Sequence, residues 1–264
     1  MQQPAPQAKV ILPNVQIYNN DCWLQCVVLL CYCNDNNYNR IINYKGNIPF
    51  LIHLRNFFNE IENLKFLYQN KYIETQAEFY NKLAKSMLLT TEQLKDDTVA
   101  MSRIFSNSGD WYNKNSFYSP YDCINAINTI FIEENGGNQG IIDINKNMGQ
   151  EYIRDISDIY MSIALNESIG QNVIFFYLPN HWTTAIRNKD GKFLYYDNMR
   201  PCKSDGNIYY FDGKQMQKYY IWDINKLLNI CPNKENNQKE QSSKKQVQNL
   251  KNWNYPLTYK NHML

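Results

Sequence analysis

The chain has 264 residues, enough for one large domain or a domain with a small appendage. Its composition, 44% hydrophobic and 14% aromatic with 21 Tyr, 12 Phe and 5 Trp, excludes a disordered polymer. A formal net charge of +2, with no Lys/Arg block inside the apolar-rich body, argues against a nucleic-acid partner, and apolar runs well short of the ~20 residues of a spanning helix argue against a membrane segment.

Residues 1–13 show no basic start followed by a long apolar run, so no secretory signal is read there. After this extended, Pro-containing start, residues 22–32 read as a buried helix, because Trp23, Leu24, Val27, Val28, Leu30 and Cys31 cover most of its faces. Residues 48–168 read as a mainly helical lobe, with Leu51, Leu54, Phe58, Ile61, Leu64 and Leu67 at three-to-four spacing. Ser119-Pro120 predicts a helix start, since Ser caps free amides and Pro tolerates the first helical position. That helix would carry Cys123, Ile127, Ile130 and Phe131, and the Gly-rich residues 135–140 would form the loop after it.

The pattern turns to strands near residue 172. Val173–Leu178 is short, β-prone and closed by Pro179. His181–Arg187, the turn-forming Asn188-Lys189-Asp190-Gly191 and Lys192–Asp197 predict a β-hairpin. Ile208–Phe211 and Tyr219–Trp222 predict further strands, completing a sheet over 172–222. Residues 232–252, rich in Asn, Gln, Lys and Ser, are expected to be mobile, with Trp253–Tyr259 a candidate to dock back. The division expected is a domain over 1–231 and a polar segment with a tail over 232–264.

Seven cysteines, four of them crowded at Cys22, Cys26, Cys31 and Cys33, do not form the even, spread framework of a disulfide-stapled secreted domain. A reducing compartment is expected: the cytoplasm or, for a secreted effector, a host cytosol. Zinc ligands usually pair as C-x₂₋₄-C on a loop or knuckle, whereas these four lie along an apolar helix, so no metal is expected. A phosphate-binding Gly-rich loop is absent.

A thiol attacks as thiolate, and a helix N-terminus favours negative charge through its unpaired amides and macrodipole. Cys22 opens its helix after the turn-like Asn19-Asn20-Asp21, while Cys26, Cys31 and Cys33 lie further inside and read as structural. Gln16, six positions upstream, is a candidate to join the Cys22 backbone N–H in an oxyanion hole. Of three histidines, His181 alone stands at the start of a hairpin strand and is the candidate base. A three-residue loop at 188–190 would face His181 with Asp197, and a four-residue loop at 188–191 would face it with Asn198. Either side chain can fix an imidazole tautomer, and Asp197 would also stabilise imidazolium.

The stretch Gln16-Ile17-Tyr18-Asn19-Asn20-Asp21-Cys22-Trp23-Leu24 resembles the catalytic-cysteine segment of papain-like proteases, in which an upstream Gln completes the oxyanion hole and an aromatic often follows the Cys. His181-Trp182-Thr183-Thr184-Ala185-Ile186 with Tyr195-Tyr196-Asp197-Asn198 is similar to the His-Trp strand and acidic strand end of proteases acting on ubiquitin and ubiquitin-like proteins. Josephin-type and Ulp-type enzymes are the nearest comparisons. The order Cys, His, Asp matches papain and Josephin enzymes and not the Ulp type, and the Asp-Gly-Asn-Cys signature of ovarian-tumour deubiquitinases is absent.

The resemblance implies an α+β, papain-like fold in which the catalytic helix and helical lobe pack on a C-terminal antiparallel sheet. It implies a cysteine protease that needs no cofactor, with Cys22, His181, Asp197 and Gln16 catalytic and a ubiquitin or ubiquitin-like partner. Trp23 and Trp182 would then be substrate-binding walls of the cleft. Two alternatives share this surface: a catalytically inactive module holding a peptide or ubiquitin tail, and a transglutaminase-like acyltransferase or amidase using the same thioester.

Overall fold

Apolar side chains on every face of α1 (Cys22–Cys33) leave it no side for water, and it is buried from Cys22 through Tyr32. A computed structural model describes residues 9–15, 21–105, 119–143, 148–152, 173–178, 181–187, 193–198, 208–211 and 216–219. All belong to the first of the two units into which the chain divides, Met1–Ile224 and Asn225–Leu264. The segment expected to be mobile, 232–252, and Trp253–Tyr259 lie outside the described residues.

Around α1 stand α2 (Asp35–Ile42), α3 (Pro49–Gln69), α4 (Gln76–Phe105) and α5 (Pro120–Asn135). The helix α2 was not anticipated. Its polar sequence, DNNYNRII, has too few apolar residues to show a period, and its start is fixed by Asn34, whose Oδ1 accepts from the Asn36 and Asn37 amides at 3.0 and 3.1 Å. Along α3, Leu51, Leu54, Phe58, Ile61 and Leu64 of the expected stripe are buried while Leu67 is half-buried, and α3 packs along α4. The start of α5 lies where Ser119-Pro120 predicts it, with Ser119 Oγ accepting from the Tyr121 amide at 3.2 Å. Its end is set by Gly136, whose φ of 64° suits a residue without Cβ.

The predicted strands Val173–Leu178 (β3) and His181–Arg187 (β4) form with those bounds, and the next is Phe193–Tyr196 (β5). Strands β3, β4 and β5 run antiparallel, as expected of the C-terminal sheet. A fourth strand, β2 (Met148–Tyr152), lies parallel to β3 at the sheet edge, inside the stretch read as helical. Five residues, MGQEY, carry no period of their own, and pairing with β3 decides their conformation.

A second sheet joins β1 (Asn14–Val15), β6 (Ile208–Phe211) and β7 (Met216–Tyr219), with β1 parallel to β6. The strand expected at Tyr219–Trp222 therefore lies earlier, placed by antiparallel pairing with β6. The molecule is a mixed helix and sheet fold. Its core runs from α1 through the inner faces of α3, α4 and α5 to β3, β4 and β5.

Candidate active site

Three elements converge: the N-terminus of α1, the first residues of β4 and the residues just after β5. The Trp182 backbone N–H donates to Cys22 Sγ at 3.4 Å, which sets the thiol against the start of β4. One residue earlier, His181 Nε2 lies 2.8 Å from Asp197 Oδ1, so the nitrogen left for the thiol is Nδ1. All three side chains are buried, at 5% exposure for Cys22, 9% for His181 and 4% for Asp197.

The hairpin register differs from both loops considered above. Arg187 pairs with Phe193 and Thr184 with Tyr196, so five residues, 188–192, join the strands. Continued by one step, that ladder puts Asp197 opposite Thr183, and His181 is two residues further on the same strand face. Asp197 thus reaches the imidazole diagonally across the sheet, a separation that side chains of this length bridge. The imidazole partner is Asp197, and Asn198 is buried beside it.

Burial works against a charged His181. Hydrogen bonds to Asp197 and Cys22, together with their negative charge, outweigh it and raise the imidazole from 6.5 to about 9. The other thiols of α1 stand in different surroundings. Burial pushes Cys26 and Cys31 well above the ordinary thiol range and Cys33 up to about 12. Cys26 is further occupied as acceptor of the Thr184 hydroxyl at 2.8 Å. These three are held as neutral thiols.

Neighbouring polar groups brace the constellation. Asn14 Nδ2 donates to the Asp197 carbonyl at 2.9 Å, and Gln25 Nε2 donates to Asn14 Oδ1 at 3.4 Å, so β1 and α1 both hold the end of β5. Asp21, immediately before Cys22, pairs through Oδ1 with Lys95 Nζ of α4 at 2.7 Å. Asn14, Gln25 and Lys95 were not anticipated. Asn14 and Lys95 have partners far away in sequence, and no local pattern distinguishes any of the three from other polar residues.

Gln16 lies outside the described residues. Of the two residues expected as cleft walls, Trp23 is fully buried in α1, and Trp182, as buried as Cys22, packs against Tyr177 and Tyr121 with ring centroids 4.9 and 6.2 Å away. Both Trp residues follow a site residue directly, and their neighbours' positions turn these large rings into the core. Among the described residues, no three or more His, Cys, Asp or Glu side chains are grouped to hold a metal ion, and no helix is long and apolar enough to cross a membrane.

A thiol at a helix N-terminus, an imidazole within reach of it and a carboxylate behind that imidazole can perform nucleophilic acyl transfer. No family model matches the chain, and no curated protein matches it.

Proposed function

We propose that the protein is a papain-like cysteine hydrolase that cleaves peptide or isopeptide bonds, and that its substrate is a conjugate of ubiquitin or a ubiquitin-like protein. The chemistry is carried by one observation: His181 is held by Asp197 at 2.8 Å beside a thiol that opens a buried helix. The substrate class is carried by the resemblance of the His181-Trp182 and Tyr195-Tyr196-Asp197 segments to proteases of that group.

His181 takes the Cys22 proton, and the resulting imidazolium is stabilised by the Asp197 carboxylate. The thiolate attacks the scissile carbonyl carbon, and the oxyanion meets the amides at the α1 N-terminus, with Gln16 as the proposed side-chain donor. Collapse of the tetrahedral intermediate breaks the C–N bond, and His181 delivers its proton to the leaving amine. A water molecule, deprotonated by His181, then attacks the thioester and releases the acid together with the regenerated thiol. Acyl transfer to an amine would share every step up to the thioester and differ only in the final acceptor.

The test is labelling with ubiquitin that carries an electrophilic C-terminus. A single adduct on Cys22, absent in Cys22→Ala, is the expected result, and both Cys22→Ala and His181→Ala are expected to cut kcat by about 10⁴-fold. A folded protein that is labelled elsewhere, or that cleaves equally well without Cys22, would overturn the reading. If Cys22 reacts with a small electrophile but not with the ubiquitin probe, the hydrolase stands and its substrate class changes.

A further inference from the structure

Asp21 occupies the N-cap position of α1, with φ −98° and ψ 15°. An aspartate there ordinarily turns its carboxylate onto the amides of the first turn. Here the side chain makes no capping hydrogen bond, and the Asp21 carbonyl accepts from the Leu24 and Gln25 amides at 3.0 and 3.1 Å. The carboxylate turns instead to the Lys95 ammonium, 2.7 Å away, with side-chain exposures of only 8% for Lys95 and 4% for Asp21.

Burying an ammonium is costly unless it is paired, and replacing such a pair by apolar side chains is often neutral or stabilising. Stability is therefore a weak reason for Lys95, and its location suggests another. A carboxylate folded over the first turn of α1 would occupy the amides that the oxyanion needs. It would also place a negative charge beside Cys22, disfavouring the thiolate. An ammonium 2.7 Å from the carboxylate would prevent both effects by drawing it away and neutralising it.

We propose that Lys95 is a positioning residue for Cys22: it holds the Asp21 carboxylate off the first turn of α1 and so reserves that helix terminus for the thiolate and the oxyanion. This rests on the reading of Cys22 as the nucleophile. It also gives the helical lobe a part in the chemistry, since α4 contributes the ammonium. Among the described residues, the other titratable groups facing the thiol are His181 from β4, Asp197 after β5 and Cys26 one turn along α1, and the substitutions below leave all three in place.

The experiment is the rate of Cys22 alkylation by iodoacetamide in the full chain as a function of pH, with the modified site read by mass spectrometry. Lys95→Met and Lys95→Gln are each expected to raise the midpoint of that profile by about one unit, a tenfold slower reaction at any pH below it. Lys95→Gln removes the neutralising charge while keeping a polar side chain and so provides a second folded variant if the methionine disrupts packing. The double substitution Asp21→Asn with Lys95→Met is expected to return the midpoint close to that of the native chain, because the negative charge that Lys95 offset is gone. A midpoint unmoved in a folded Lys95 variant, or a double variant no better than the single one, overturns the proposal while Cys22 remains the nucleophile. Wild-type Cys22 reacting no faster than an unfolded thiol overturns the nucleophile reading itself.

Discussion

His181 is where burial and charge oppose each other. Burial alone would favour neutral imidazole, yet the ring is raised to about 9 because Asp197 and Cys22 both hydrogen-bond to it and both favour its charged form. If thiolate and imidazolium are the reacting pair, activity falls as pH rises through about 9, when the ring loses the proton it must give to the leaving amine. The alkaline limb of kcat/KM is expected at that pH. In Asp197→Asn it should move down by about one unit or more, since one of the two stabilising charges is removed, whereas Asn198→Ala should leave it in place. An Asn198 variant that moves the limb as far as Asp197→Asn would reassign the imidazole partner. Cys22, His181 and Asp197 were legible because each sits at the end of a locally recognisable element. The braces were not: Asn14 acts on a carbonyl 183 positions away, and no local pattern carries such a distance.

Among the elements, predictability followed the strength of local patterning. The helices with apolar stripes and the strands bounded by turn residues were readable, while α2, β1 and β2 were not, because polar sequence or pairing with distant strands fixes them. Asparagine plays a specific part here. Asn37 donates to the Asp143 carbonyl at 3.2 Å and accepts from the Asp143 amide at 2.7 Å, and Asn128 does the same with Ile142 at 2.8 and 2.9 Å. Each side-chain amide thereby substitutes for a strand partner, tying residues 141–143 to α2 and α5. The diagonal approach of Asp197 to His181 belongs to this scale too, since a hairpin connection two residues longer than the one that would face them directly still leaves Asp197 within reach of the imidazole. Asn37→Ala, which removes both side-chain hydrogen bonds to the Asp143 backbone, is expected to destabilise the fold by about 2 kcal/mol. Asn36→Ala, at an exposed neighbour, should stay within about 0.5 kcal/mol. Urea midpoints compare the two, and equal losses would mean that the Asn37 pairing contributes nothing beyond local helix propensity.

At the scale of the whole molecule, the buried titratable groups of the core and site lose their stabilising contributions as the solution becomes alkaline, in two successive windows. His181 binds its proton more tightly folded than unfolded. Its contribution is fully present below pH 6.5 and is lost as pH rises through about 9. Cys26, Cys31 and Cys33 follow the same sign from a higher start. Their folded forms stay neutral while the unfolded thiols ionise near 9.0, so the stability they lend is present below that pH and declines above it. Tyr32 and Tyr196, raised by burial above 10.0, extend the decline further. The urea midpoint, measured under reducing conditions, should therefore fall in two stages, first between pH 6.5 and about 9 and then more steeply beyond it. His181→Gln should flatten the first stage and leave the second, because glutamine carries no proton to lose while the thiols of α1 are untouched. A first stage that survives His181→Gln would show that some other group holds that proton, and the charged pair proposed for catalysis would lose its thermodynamic signature.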